Sequence, residues 1–180
     1  MTVTGSASLS LTVAGKMSTA SYKNTALAVM AEALRPVGFH KRGSCFERSL
    51  TDVVHLVGLQ ASTSSTAALL RITANLAIWV PSLADGRDRP DIWSSHWRQR
   101  LGELMPERSD RWWTITTEQE AAVAATEITS GLLSYGLPAL DSLSSVAALQ
   151  QVWEAGKSPG LTKTQSQRYV ERLHANPKTG

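Results

Sequence analysis

The side chains able to do chemistry gather in one stretch and one strand. From Trp93 to Ile115 the chain reads W-S-S-H-W-R-Q-R-L-G-E-L-M-P-E-R-S-D-R-W-W-T-I, which holds four of the six tryptophans and four arginines. Arg98 and Arg100, with Asp110 nearby, could form an anion clamp, because guanidinium is a planar bidentate donor for carboxylate or phosphate. The favoured expectation is plainer: Arg100 pairs with Asp110 or Glu103 and ties down the tryptophan strand. Trp112 and Trp113 are adjacent on an expected strand, so one ring should be core and the other partly exposed. That outweighs a stacking platform for bases or an interface hot spot. Gln60, Arg71 and Asn75 are polar groups on neighbouring strands, equally suited to a solvated face and to a binding face.

No catalytic signature accompanies these residues. Phosphate-cradling glycine loops, H-E-x-x-H and paired cysteines are all absent from the sequence. His40, His55, His96 and His174 occur singly. His55, between Val53 and Val57, reads as a satisfied core or edge histidine, and His96 as a helix-surface residue. Two imidazoles and a carboxylate can still meet in space, which keeps a small hydrolase or metal enzyme as an alternative. Cys45 is the single cysteine and reads as structural, with no disulfide or zinc site open to it. No cofactor is expected.

A chain of 180 residues with 42% hydrophobic and 18% charged content suits one globular domain. No apolar run reaches the ~18 residues of a spanning helix, and the start is a poor secretory signal, so a cytoplasmic protein without a membrane partner is expected. The net charge is +3. Between Gly86 and Trp113 six arginines face five acids, a mixed-sign pattern that favours internal ion pairs over a phosphate-binding stripe. Nucleic acid is therefore the weaker partner class.

The elements that must position these groups follow from hydrophobic period and punctuation. Residues 1–20 read as a flexible extension in which Met17 could be the true start. A helix capped by Ser21 carries Leu27, Met30 and Leu34 and closes at Pro36 and Gly38. Cys45–Ser49 and Val53–Gln60 form a hairpin. From Leu70 to Val80 the even residues face a core and the odd ones, including Arg71, Thr73 and Asn75, face water, a ligand or another element. Pro81–Pro90 is a loop, Ile92–Met105 a helix and Arg111–Thr116 a strand. Thr117 caps a helix from Glu118 to about Tyr135 that Gly136-Leu137-Pro138 breaks, and Val146–Glu154 is helical after a Ser144 or Ser145 cap. Residues 21–156 make the domain and 157–180 a polar tail, with a marginal helix at Gln165–Leu173. The fold class is α+β: an antiparallel sheet of three to four strands against an N-terminal helix and C-terminal helices.

In that order, several segments together resemble a known family. They are G-F-H-K-R-G-S-C-F at Gly38–Phe46, L-Q-A-S at Leu59–Ser62, N-L-A-I at Asn75–Ile78, W-R-Q-R-L-G-E-L at Trp97–Leu104, D-R-W-W at Asp110–Trp113 and Y-G-L-P-A-L at Tyr135–Leu140. The chain resembles the bacterial family called domain of unknown function 4304 from roughly Tyr22 to Glu154. Ala77 stands where the family pattern has glycine. The resemblance implies a compact bacterial cytoplasmic domain with no activity attached to it.

The residues point first to a non-catalytic module that binds a protein or peptide through Gln60, Arg71, Asn75, Arg98, Arg100, Trp112 and Trp113. An immunity-type inhibitor of a toxin is one role within that class. Nucleic-acid binding through Trp and Arg stacking is the alternative from another class, and steep salt dependence would mark it.

Overall fold

A computed structural model describes residues 18–87 and 89–175. Most of the expected N-terminal extension, with Met17, and the last five residues of the expected tail lie outside that range.

Helix α1 (Thr19–Leu34) is capped by Ser18, three residues before the expected Ser21, and its side chain accepts from the Ser21 N–H. Tyr22, Ala26, Leu27, Met30 and Leu34 form its buried stripe. Pro36 and Gly38, the latter at φ +87°, turn the chain into the sheet. Strands β1 (His40–Arg42), β2 (Cys45–Ser49), β3 (Val54–Ala61), β4 (Leu70–Trp79), β5 (Trp97–Arg100) and β6 (Trp113–Ile115) make one sheet. Its order is β1-β2-β3-β4-β5, with β6 also on β4 and every pairing antiparallel. The α+β class holds, with more strands than the three or four expected. The added strands, β1 and β5, are too short to show a period of their own.

One face of the sheet carries Leu70, Ile72, Ala74, Leu76 and Ile78, all buried with α1 and with α3 (Glu118–Gly131) in the main core. Each of the Leu and Ile side chains contributes roughly 1.5–3 kcal/mol through the apolar area it removes from water. Helix α3 begins at a capping box, in which Thr117 accepts from the Glu120 N–H and Glu120 reaches back to the Thr117 N–H. Its expected apolar stripe, Ala121, Ala125, Ile128 and Leu132, is buried throughout.

Of the three surroundings expected for the other face, another element is what the structure places over most of it. Beyond Arg71 the odd residues of β4 are buried: Thr73, Asn75, Ala77 and Trp79. Val54, Leu56, Ala77 and Trp79 form a second small core, closed over by Ala84 and Ile92 from the connection after β4. A Cβ on Gly58 would sit 2.4 Å from Ile92 Cδ1, so the missing side chain at that position leaves the space that Ile92 fills.

Residues 92–105 do not form the expected helix. Trp97–Arg100 is strand β5, in register with Asn75–Ile78, and only Leu101–Leu104 is helical (α2). The i, i+4 spacing of Trp93 and Trp97 mimics a helix face, yet Trp97 is buried while Trp93 is 58% exposed. Nor does Gly136-Leu137-Pro138 break the long helix. A π-helical turn over Leu132–Gly136 absorbs the proline by bonding the Leu137 N–H to the Leu132 carbonyl, and α4 (Leu137–Asp141) continues.

Helix α5 (Val146–Glu154) starts at Ser145, whose hydroxyl accepts from the Ala148 N–H at 3.2 Å. The marginal helix expected at Gln165–Leu173, within the polar C-terminal segment, is present as α6 (Lys163–Ala175). Its Tyr169 ring lies 5.0 Å from His96 and 5.4 Å from Trp153. Val170 and Leu173 pack on the core beside Tyr169, so only a few apolar residues among many polar ones dock this helix.

Candidate functional site

Antiparallel register decides which side chains share a face. Asn75 stands opposite Gly58 on β3 and Arg100 on β5, Ala77 opposite Arg98, and Thr73 opposite Gln60. Gln60, Arg71, Asn75, Arg98 and Arg100 therefore project from the same side of the sheet, away from α1 and α3. Trp112 joins them. It enters just before β6, which pairs with Leu70–Ile72, while β5 pairs further along with Asn75–Ile78. Thr73 fills the interval, its hydroxyl donating to the Arg111 carbonyl at 2.9 Å.

Trp112 lies within reach of two cations. The Arg71 guanidinium is 5.4 Å from its ring centroid and that of Arg100 is 5.3 Å, both within cation–π range. Asp110 binds both Arg100 and the Trp112 indole N–H, so the expected Arg100–Asp110 tie is present. Trp113, by contrast, does not belong to this face. It is buried with the helices, and its indole N–H donates to Glu127 at 2.9 Å. Glu127 also pairs with Arg111, at 2.7 Å, on that same side.

Beside the Trp112 cluster the face sinks into two adjoining depressions of about 230 and 150 Å³, both lined by Asn75 and Trp93. Asn75 is 3% exposed and donates to Gln60 Oε1 at 3.1 Å. Arg98 lies 5.5 Å from the Trp93 ring centroid and donates to the Trp93 carbonyl at 3.2 Å. Trp93 was missed as a site residue; a helical reading of W-S-S-H-W placed it on an apolar stripe. Asp91 accepts from the N–H groups of Trp93 and Ser94 at 3.0 and 3.1 Å, an Asx turn that D-x-W-S could have signalled.

The histidines lie outside this face. His96 is 3% exposed, not a helix-surface residue: its Nδ1 accepts from the Val80 N–H at 3.0 Å and its Nε2 donates to the Leu83 carbonyl at 3.1 Å. His55 accepts from Arg48 at Nδ1, 2.9 Å away, and faces the Leu143 carbonyl through Nε2 at 3.3 Å. Burial pushes both imidazole pKa values down. With both nitrogens of each ring engaged, neither is free as a base or ligand. Among the described residues no three His, Cys, Asp or Glu side chains converge as metal ligands. Burial also pushes the Cys45 thiol up to about 11, too high for an activated nucleophile.

The family model for Domain of unknown function (DUF4304) matches residues 30–142. The chain belongs to the DUF4304 family. No curated protein and no solved structure matches it. The DUF4304 match is shorter than the expected Tyr22–Glu154 span, but it runs from late α1 past α4 and contains every residue of the face above. Helices α5 and α6 lie beyond it. Gly102, in the R-L-G stretch of this DUF4304 chain, has a direct physical reason: an added Cβ would sit 2.3 Å from the Ser109 carbonyl oxygen and 2.7 Å from the Arg111 nitrogen. That close approach folds the 105–110 turn back so that Asp110 and Trp112 reach Arg100.

Proposed function

We propose that this chain is a non-catalytic protein- or peptide-binding module that docks its partner on the Arg71–Trp112–Arg100 cluster and the adjoining Asn75 depressions. The setting that the family resemblance implies is a bacterial cytoplasm. One observation carries the reading. A half-buried tryptophan is flanked by two guanidinium groups on a face where, among the described residues, Arg71 and Arg98 have no carboxylate partner. Tryptophan and arginine supply most interface hot spots, because a large rigid ring and a planar donor lose little entropy for the area and hydrogen bonds they bring. The engaged histidines and the high-pKa thiol support a role in binding rather than turnover.

Selection from a displayed random-peptide library on wild type, with Arg71→Ala/Trp112→Ala as counter-target, tests this. Peptides enriched on the wild type alone are expected. Equal enrichment on both proteins, or none, would sink the docking reading. A labelled single-stranded oligonucleotide whose affinity for the wild type collapses with salt would transfer the same face to nucleic acid.

A further inference from the structure

The Asn75 depressions are more specific than a general docking face, and the following assignment rests on the reading above. Four ionised groups line them: Arg98, Arg100, Glu103 and Asp91. Arg100 is committed to Asp110, and Asp91 to the two N–H groups of its turn. Arg98 remains. Its guanidinium is oriented by the Trp93 ring and carbonyl, so it is held in place without being neutralised.

The walls around Arg98 are built from distant parts of the chain. Trp93 stands on one side, with more than half its surface open. On another, Gly160 at φ +74° passes so close that an added Cβ would lie 2.5 Å from the Arg98 carbonyl oxygen. The floor is the buried Asn75 amide, bonded to Gln60. Together the two depressions, of about 230 and 150 Å³, fall in the lower part of the ~300–1,000 Å³ typical of small-ligand sites.

We infer that this cleft binds a monocarboxylate carrying an adjacent planar or apolar group, as an acidic residue beside an aromatic one in a peptide would present. The carboxylate pairs with Arg98 and the apolar group packs on Trp93. A planar fork matches a carboxylate bidentately, and desolvation beside an aromatic wall strengthens the pair. The exposed Glu103 on the rim selects against a second negative charge, which disfavours a phosphate dianion.

The probe is phenylacetate, with neutral phenylacetamide as its isostere, titrated into the full chain while the Trp93 indole and the Asn75 and Gln60 side-chain amides are followed by NMR. Phenylacetate should give saturable shifts at those three groups, with Kd of roughly 1 mM as for a fragment of this size. The response should be at least about tenfold weaker with phenylacetamide, in Arg98→Gln and in Trp93→Ala, and unchanged in Arg111→Gln, on the opposite face. An equal response to both compounds, or no saturable response from the folded wild type up to roughly 10 mM, overturns the assignment. Failure here with wild-type-only peptides in the library selection removes the carboxylate site alone. A phenylacetate response without such peptides removes the docking reading alone.

Discussion

Arg100 and Trp112 are joined twice: the guanidinium lies 5.3 Å from the indole centroid, and both groups donate to the same Asp110 carboxylate. Since Arg71 also reaches the ring, Trp112 is held by three side chains yet remains half-buried. Replacing it with alanine should cost only about 1–2 kcal/mol, because exposed cation–π contacts are worth ~0.5–1 kcal/mol each. Binding of any selected peptide should fall by roughly tenfold or more. Chemical denaturation and peptide titration of Trp112→Ala measure the two effects; a large stability loss would make Trp112 a core residue and not a docking one.

Gly102 sets the position of that cluster. With 2.3 Å between an added Cβ and the Ser109 carbonyl oxygen, the obstacle is backbone and cannot rotate away. Gly102→Ala should therefore destabilise the fold by roughly 1–3 kcal/mol, in the range for overpacking. It should also loosen Trp112, seen as a red-shifted, more quenchable tryptophan emission. Unchanged stability and emission would show that the 105–110 turn is free to move.

The contrast between what was legible and what was not has a physical basis. Strands β2, β3 and β4 were readable from alternation and turn punctuation, and helices α3 and α5 because each has a period and a cap of its own. The shared face was readable in part: alternation put Arg71 and Asn75 together, but only pairing register adds Arg98 and Arg100 to them. Strand β5 was hidden because four residues on β4 need no period, and because Trp93 and Trp97 are spaced like a helix face. Burial of Thr73 and Asn75 was hidden too: Thr73 is covered by the segment whose Arg111 carbonyl accepts from its hydroxyl, and Asn75 stands opposite Gly58, a residue with no side chain to announce that Ile92 lies against it.

Tyr169 is the main aromatic anchor of α6, in ring contact with His96 and Trp153, while Arg172 pairs with Asp85 at 2.7 Å. Tyr169→Ala should cost about 2 kcal/mol, below the ~3–5 kcal/mol of a fully buried aromatic. The loss should appear locally first, as faster amide exchange across residues 163–175 with β4 still protected. Uniform protection in wild type and variant would mean that α6 docks by other contacts.

The buried histidines give stability a pH dependence of known sign. His55 and His96 have pKa values below their ordinary 6.5, chiefly because burial disfavours the imidazolium. At pH 7.5 both are largely neutral in folded and unfolded chains, so they add almost no slope. As pH falls below about 6.5 the unfolded chain takes up protons that the native state refuses, and stability declines. Protonating His96 would also abolish its Nδ1 acceptor and strand the Val80 N–H in the core. Denaturation midpoints should therefore drop steadily between about pH 6.5 and 5. His96→Gln should flatten that slope while lowering stability at pH 7.5, where the wild-type hydrogen bonds are intact. An identical pH slope in wild type and His96→Gln would mean that His96 takes up its proton in the folded protein as readily as in the unfolded chain.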